Sequence, residues 1–184
     1  PIEQGGLGFS HKWNLGWMHD SLGYLAHEPI HRQHHHNEMT FSQLYAYNER
    51  FVLPLSHDEV VHGKGSLLGK MSGDDWQRFA DLRNLLAWQW SMPGVPLLFM
   101  GAELAPWEEW NDAAELPWHL ADHPPHRGVR DLIQSMNGIA DNWPALWERD
   151  TEPAGFQWLD ANDADHSMYA YTRWGLSGAT ALVC

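Results

Sequence analysis

The stretch Phe51-Val52-Leu53-Pro54-Leu55-Ser56-His57-Asp58-Glu59 sets five apolar residues directly against four polar ones. An uninterrupted apolar run of this length reads as a strand covered on both faces, the habit of parallel sheets. Pro54 sits awkwardly in that reading, because proline has no N–H to give to a ladder. Upstream, residues 8–13 form another strand candidate, and downstream Val95-Pro96-Leu97-Leu98-Phe99-Met100 forms a third, ended by Gly101. Helical patterns lie between and after them. Residues 40–47 carry Phe41, Leu44 and Tyr45 on one face behind Thr40 as N-cap. Residues 74–92 repeat Phe79, Leu82, Leu86 and Trp90 at helical spacing, behind a cap at Ser72 or Gly73 and before the stop at Pro93-Gly94. Residues 127–147 carry Val129, Leu132, Ile133 and Met136. The strand candidates begin near 8, 51 and 95, so a similar βα unit repeats and a parallel sheet follows.

After about residue 150 the pattern changes. Short apolar runs at 156–159, 167–174 and 180–183 are separated by turn-forming clusters, as in antiparallel β structure. The chain therefore divides into an α/β region over 1–150 and the start of an all-β module over 151–184.

Composition narrows the function classes. The 184 residues hold 11 Lys+Arg and 24 Asp+Glu, a formal net charge of −13. That surface repels phosphate backbones, which argues against a nucleic-acid partner. Residues 85–104 are the most apolar stretch, and Gln89, Pro93, Gly94 and Pro96 interrupt it, so no membrane span is expected. The single cysteine, Cys184, excludes an intrachain disulfide and fits a reducing compartment. The 12 Trp residues are either core or a surface on which sugar rings can stack. A start at Pro1-Ile2-Glu3 and an end inside an apolar run suggest a piece of a longer protein.

In parallel α/β folds, ligands gather where the strands end. That rule selects Trp13 and Asn14 after the first strand, His57 and Asp58 after the second, and Glu103 after the third. Delivering His57 and Asp58 straight from a buried strand costs desolvation, which hydrogen bonds to a ligand would offset. The competing reading makes Asp58 the cap of a turn over 59–61. Zinc is not expected at His57-Asp58-Glu59-Val60-Val61-His62, because its histidines stand five apart rather than four. The run His31-Arg32-Gln33-His34-His35-His36 reads as a solvated loop, although His31 and His35 could share a helical face. Gly63-Lys64-Gly65-Ser66 lacks the spacing of a phosphate loop.

The segment from Phe51 to Lys64 resembles the seventh-strand signature of the 1,4-α-glucan branching enzymes, within the α-amylase superfamily of glycoside hydrolases. Lys12-Trp13-Asn14-Leu15-Gly16-Trp17-Met18-His19-Asp20 is similar to that family's sixth-strand region, Pro96-Leu97-Leu98-Phe99-Met100-Gly101 to its eighth strand, and Glu109-Trp110-Asn111 to one of its loops. The resemblance runs in order along the whole chain. It departs from the family at Ala102 and Leu104, where Asn and Phe are usual around the glutamate, and at Pro117, where Asp is common.

The resemblance implies units six to eight of a (β/α)8 TIM barrel over 1–150, followed by the first strands of a C-terminal β-sandwich. It also implies a glycosyltransferase activity of glycogen biosynthesis, cytoplasmic and free of metal or cofactor. The family's reaction is a retaining double displacement: an α-1,4 linkage is cleaved and the chain passes to a sugar 6-hydroxyl, forming an α-1,6 branch. Asp58 matches the family's third carboxylate, which holds ring hydroxyls and stabilises the transition state. His57 matches the neighbouring histidine that binds sugar hydroxyls; Trp13, Asn14, Glu103 and Trp110 would complete the α-1,4-glucan contacts. The nucleophilic aspartate and the acid/base glutamate belong to strands four and five. Both would precede Pro1, with the rest of the barrel, so the isolated chain should be inactive. Two alternatives stand beside this reading: a trehalohydrolase, trehalose-forming or debranching enzyme with the same barrel, and a non-catalytic glucan-binding module built on the tryptophans.

Overall fold

The computed structural model describes residues 5–178 and 180–183; the expectations placed on Pro1, Ile2, Glu3 and Cys184 fall outside the described residues. Three strands, β1 (Lys12–Trp13), β2 (Phe51–Leu55) and β3 (Val95–Leu98), form a parallel sheet in the order β1-β2-β3. Lys12 pairs with Phe51, Val52 with Val95 and Leu55 with Leu98. The central strand is where the sequence put it, residue for residue, and Leu53 and Leu55 are buried. β1 is shorter than expected. Gly8 takes a positive φ of 91°, which ends any extended run, and Leu7 and Phe9 lie exposed on either side of it.

The helix α1 (Leu15–Ala26) connects β1 to the His-rich segment and was not legible as a helix. Its start is fixed by Asn14, whose Oδ1 accepts the Trp17 N–H at 2.9 Å. Trp17, Met18, Leu22 and Leu25 carry its buried face. The helix expected over 40–47 is displaced toward the N-terminus. It forms as α2 (His36–Phe41), followed by a single 3-10 turn over Ser42–Leu44. Thr40 is no cap there; its hydroxyl donates to the Asn37 carbonyl inside the helix. Nor is the His-rich segment a solvated loop throughout. Pro29–His34 is a 3-10 helix that buries Arg32 against Asp81, and His36 is buried too.

A short α3 (Leu67–Lys70) leads into α4 (Asp75–Ser91). The cap of α4 is Asp74, one residue beyond the expected pair. Its carboxylate accepts from the Gln77 N–H at 2.9 Å, while the Gln77 side chain accepts from the Asp74 N–H at 2.8 Å. Phe79, Leu82, Leu85 and Leu86 face the core. Gln89, fully buried, points its amide at the sheet and donates to the carbonyls of Leu53 and Leu97 at 2.8 and 2.9 Å. Pro54 and Pro96 bring no N–H to this ladder, so the donors come from the covering helix instead.

The last long helix, α5 (Pro124–Asn142), starts and ends earlier than its apolar stripe suggested. Proline suits a first helical turn, and Pro144 forbids continuation. The antiparallel sheet β4 (Phe156–Asp163), β5 (Met168–Trp174) and β6 (Thr180–Val183) follows in sequence order. It is tied to α4 where the Tyr171 hydroxyl meets Ser91 Oγ at 2.6 Å. The architecture is mixed α/β, with one parallel and one antiparallel sheet. No described helix is long and apolar enough to cross a membrane.

Candidate functional site

Because the three strands run parallel, their carboxyl ends share one edge of the sheet. β2 delivers its chain there into a single 3-10 turn over His57–Glu59. The cap of that turn is Ser56, whose Oγ accepts the Asp58 N–H at 3.3 Å. Asp58 is thereby released from the capping duty that its position allowed. Its carboxylate instead meets His57 Nε2 at 3.1 Å, with both side chains about half exposed.

Aromatic rings continue from that pair. The Phe99 N–H bonds to the Leu55 carbonyl at 2.9 Å, which fixes the end of β3 beside the end of β2. The Phe99 ring lies 5.8 Å from the His57 ring and 5.2 Å from Trp110, edge to face with the latter. The Trp110 N–H is bound by the Val60 carbonyl at 3.0 Å, so the loop after β3 is stitched to the turn that carries Asp58. His57, His62, Glu109, Trp110 and Asp112 line an open groove of about 700 Å³. Behind it lies a second cavity of about 430 Å³, walled by Leu67, Leu68, Phe99, Trp107 and Trp110.

The remaining expected residues occupy different situations. Trp13 ends β1 and is 39% exposed. Glu103 is half-buried in the 3-10 turn Ala102–Leu104, after the left-handed Gly101. Asn14 is buried, and its Oδ1 already serves Trp17 N–H and the Tyr45 hydroxyl, the latter at 3.1 Å. So His57 meets Asp58 and shares the groove with Trp110. Trp13 and Glu103 follow the flanking strands, and Asn14 shapes the start of α1. Among the described residues, no hydrogen bond or ion pair joins Trp13 or Glu103 to Asp58.

Glu109 is the residue whose part the sequence did not disclose. Its two oxygens accept the N–H groups of Gly63 and Gly65 at 3.0 and 2.7 Å. His62, Gly63 and Gly65 all adopt positive φ, which turns successive amides into a concave anion cradle. The cradle that could have suggested a phosphate is filled by the protein's own carboxylate. Those backbone donors hold the Glu109 carboxyl below the usual carboxylate range. Burial also lowers the nearby Lys70 ammonium, whose Nζ donates to the Lys64 carbonyl at 2.5 Å. The run Gly63-Lys64-Gly65 was the available signal, but nothing in the sequence says which acid fills the cradle.

Glu109→Ala should therefore free the 62–65 loop while leaving the sheet intact. Amide exchange at Gly63 and Gly65 is expected to speed up about tenfold, with no change in the β2 amides. Since the carboxyl is depressed, its hold is complete at neutral pH and is lost as pH falls through its folded pKa. Unchanged exchange at both glycines in the variant would show that the clamp contributes nothing.

A half-exposed His–Asp pair whose histidine lines a groove beside an aromatic wall can give and accept hydrogen bonds with a polyhydroxylated ligand, and the rings can stack on its apolar faces. No family model matches the chain. Comparison with individual proteins is informative over its full length. It is 55% identical over 183 residues to the 1,4-alpha-glucan branching enzyme of Pseudomonas putida, covering 100% of the chain and 25% of that enzyme. It is 57% identical over 174 residues to the enzyme of that name from Frankia casuarinae, covering 95% of the chain and 21% of that enzyme. The chain is homologous to a stretch of the 1,4-alpha-glucan branching enzymes. The branching enzyme of Thermobifida fusca is 56% identical over 182 residues, covering 99% of the chain and 24% of that enzyme. The chain thus spans about a quarter of the length of the curated branching enzymes it matches.

Proposed function

We propose that the chain is the C-terminal part of the (β/α)8 catalytic barrel of a glycogen branching enzyme over 1–150, with the first strands of a β-sandwich domain over 151–184. The observation that carries this reading is the His57–Asp58 pair, held at 3.1 Å at the carboxyl end of the central parallel strand. In this reading Asp58 is the carboxylate that grips the hydroxyls of the glucose unit being attacked. Its charge favours the partial positive charge that develops on the sugar ring in the transition state. His57 binds a neighbouring hydroxyl and fixes the carboxylate's orientation. Trp110 and Trp13 offer faces to flanking glucose units, and Glu103 accepts hydrogen bonds from the far side. Asn14 acts from below, holding the helix that follows Trp13. The donor is an α-1,4-glucan, the acceptor is a 6-hydroxyl, and the compartment is the cytoplasm.

Bond cleavage with retention requires a nucleophile and an acid/base on opposite sides of the scissile bond, roughly 5–5.5 Å apart. Asp58 in its contact with His57 supplies neither. Residues 1–184 alone are accordingly expected to leave the iodine absorbance of amylose unchanged, whereas the same residues within a complete barrel lower it as branches form. Branching by the chain alone would overturn the division of labour proposed here. A chain that is inactive in both settings, yet binds maltoheptaose saturably through Trp110, would instead favour a glucan-binding module. Linkage analysis of the full-length product separates branching from trehalose formation or debranching.

A further inference from the structure

At the far end of α1, away from the groove, three side chains converge that the glucan site does not use. His27 closes α1, His35 precedes α2, and Glu38 stands in the first turn of α2. The two imidazoles stack with centroids 3.6 Å apart and planes 19° from parallel. Glu38 Oε1 lies 2.8 Å from His35 Nδ1 and 3.8 Å from His27 Nε2. One ligand atom from each residue falls within 4.8 Å of the others. A pairing within α2 explains the contact between His35 and Glu38. It does not explain why a ring from the end of another helix is stacked onto His35 and directed toward the same carboxylate.

The backbone beneath is held from several sides. The His27 carbonyl accepts from Arg32 Nε at 3.1 Å and from the Ser72 hydroxyl at 3.0 Å. Arg32 is buried and paired with both oxygens of Asp81. On the other side, α2 is fixed to the antiparallel sheet. The Tyr169 hydroxyl donates to the His36 carbonyl, and His36 Nε2 meets the Ala161 carbonyl, both at 3.0 Å. The three side chains therefore start from positions set by the core rather than from a mobile surface loop.

We propose that His27, His35 and Glu38 form a binding site for a divalent transition-metal ion, with zinc the best match. Zinc takes imidazole nitrogen and carboxylate oxygen at about 2.0–2.2 Å, which puts neighbouring ligand atoms of a tetrahedron roughly 3.4 Å apart. The 2.8 and 3.8 Å separations bracket that spacing, and because imidazole lone pairs lie in the ring plane, the His27 and His35 rings turn out of their parallel stack to converge on the ion. Two histidines and one carboxylate leave a fourth position for water. α1 is twelve residues long, which places the ion about 18 Å from the groove end of that helix. The ion acts as a staple between α1 and α2, not as a participant in glucan chemistry.

The test titrates zinc chloride into the metal-stripped, tag-free protein, in the longest form that carries residues 1–184. Substituted cobalt reports coordination through its visible absorption. One saturable equivalent is expected, with the tetrahedral cobalt spectrum and a melting temperature raised by a few degrees. His35→Asn and His27→Asn should each weaken that binding by more than about tenfold. The pair His31→Asn and His34→Asn, exposed histidines of the same segment, should leave it unchanged. Circular dichroism checks that every variant retains its helices. Absence of the saturable equivalent, or equal loss in the His31/His34 control, would overturn the site and reduce the trio to a stacked, hydrogen-bonded surface cluster.

Discussion

In a complete branching enzyme carrying this chain, Asp58→Asn is expected to lower kcat by roughly 10²- to 10³-fold, the scale of losing one preorganised electrostatic contact to a transition state. The substitution is nearly isosteric. It keeps one acceptor oxygen for a sugar hydroxyl and removes the charge that opposes the developing positive ring. The Asp58 backbone N–H still has the Ser56 Oγ, so the 3-10 turn persists. The side chain is half exposed, and surface changes of this kind alter stability by about 0.5 kcal/mol or less. The loss should therefore fall on kcat with melting unchanged, which separates a reacting-site role from a packing role. His57→Ala should be milder, raising KM as well as lowering kcat, because it removes both a ligand contact and the 3.1 Å partner that orients the carboxylate. Iodine-amylose rates for the two variants measure this. An Asp58→Asn enzyme within threefold of wild type would remove the carboxylate from the chemistry.

The elements that could be read from the sequence are those whose own residues carry the signal. β2 was legible because it is an unbroken apolar run between two parallel neighbours, with Leu53, Pro54 and Leu55 buried. α4 was legible because its apolar positions recur over 17 residues. The edge strand β1 was overcalled, since residues 8–11 look extended but have no partner and meet a glycine with positive φ. α1 was missed although Met18, Leu22 and Leu25 fit a helix. Asn14 was read as a ligand contact, and its cap to Trp17 went unrecognised. The strand-end rule put His57 and Asp58 directly after β2 and Glu103 in the turn after β3, because topology alone determines which residues reach that edge. The Glu109 cradle and the His27–His35–Glu38 convergence join residues 44 to 46 apart in one case and two different helices in the other. Contacts of that kind depend on tertiary placement, which periodicity does not encode.

Arg173→Met should be the most damaging single substitution for stability, costing about 3–5 kcal/mol, a large part of the 5–15 kcal/mol that holds an ordinary domain together. Arg173 is completely buried on β5. Its Nη1 donates to the Ser91 carbonyl at 2.6 Å, at the end of α4. Nε donates to the Gly155 carbonyl at 3.3 Å, and Nη2 pairs with Asp150. Methionine replaces the length but none of the donors, so one carboxylate and two carbonyls lose their partner in the interior. Burial already pushes the Asp150 carboxyl up to about 6, with Arg173 pulling it back toward the charged form. Without the cation that carboxyl rises further and takes up a proton in the folded state. The deficit of Arg173→Met should then be largest above the variant's raised Asp150 pKa, shrink as pH falls from there toward 6, and level off below it, because a neutral Asp150 no longer needs a counter-charge. Adding Asp150→Asn should recover part of the loss at pH 7, with a coupling of about 1–3 kcal/mol in the double-mutant cycle. Urea unfolding at pH 5 and pH 7 reads all three quantities. A deficit independent of pH, with the two substitutions simply additive, would mean that the buried cation holds the antiparallel sheet to α4 through its carbonyl contacts alone.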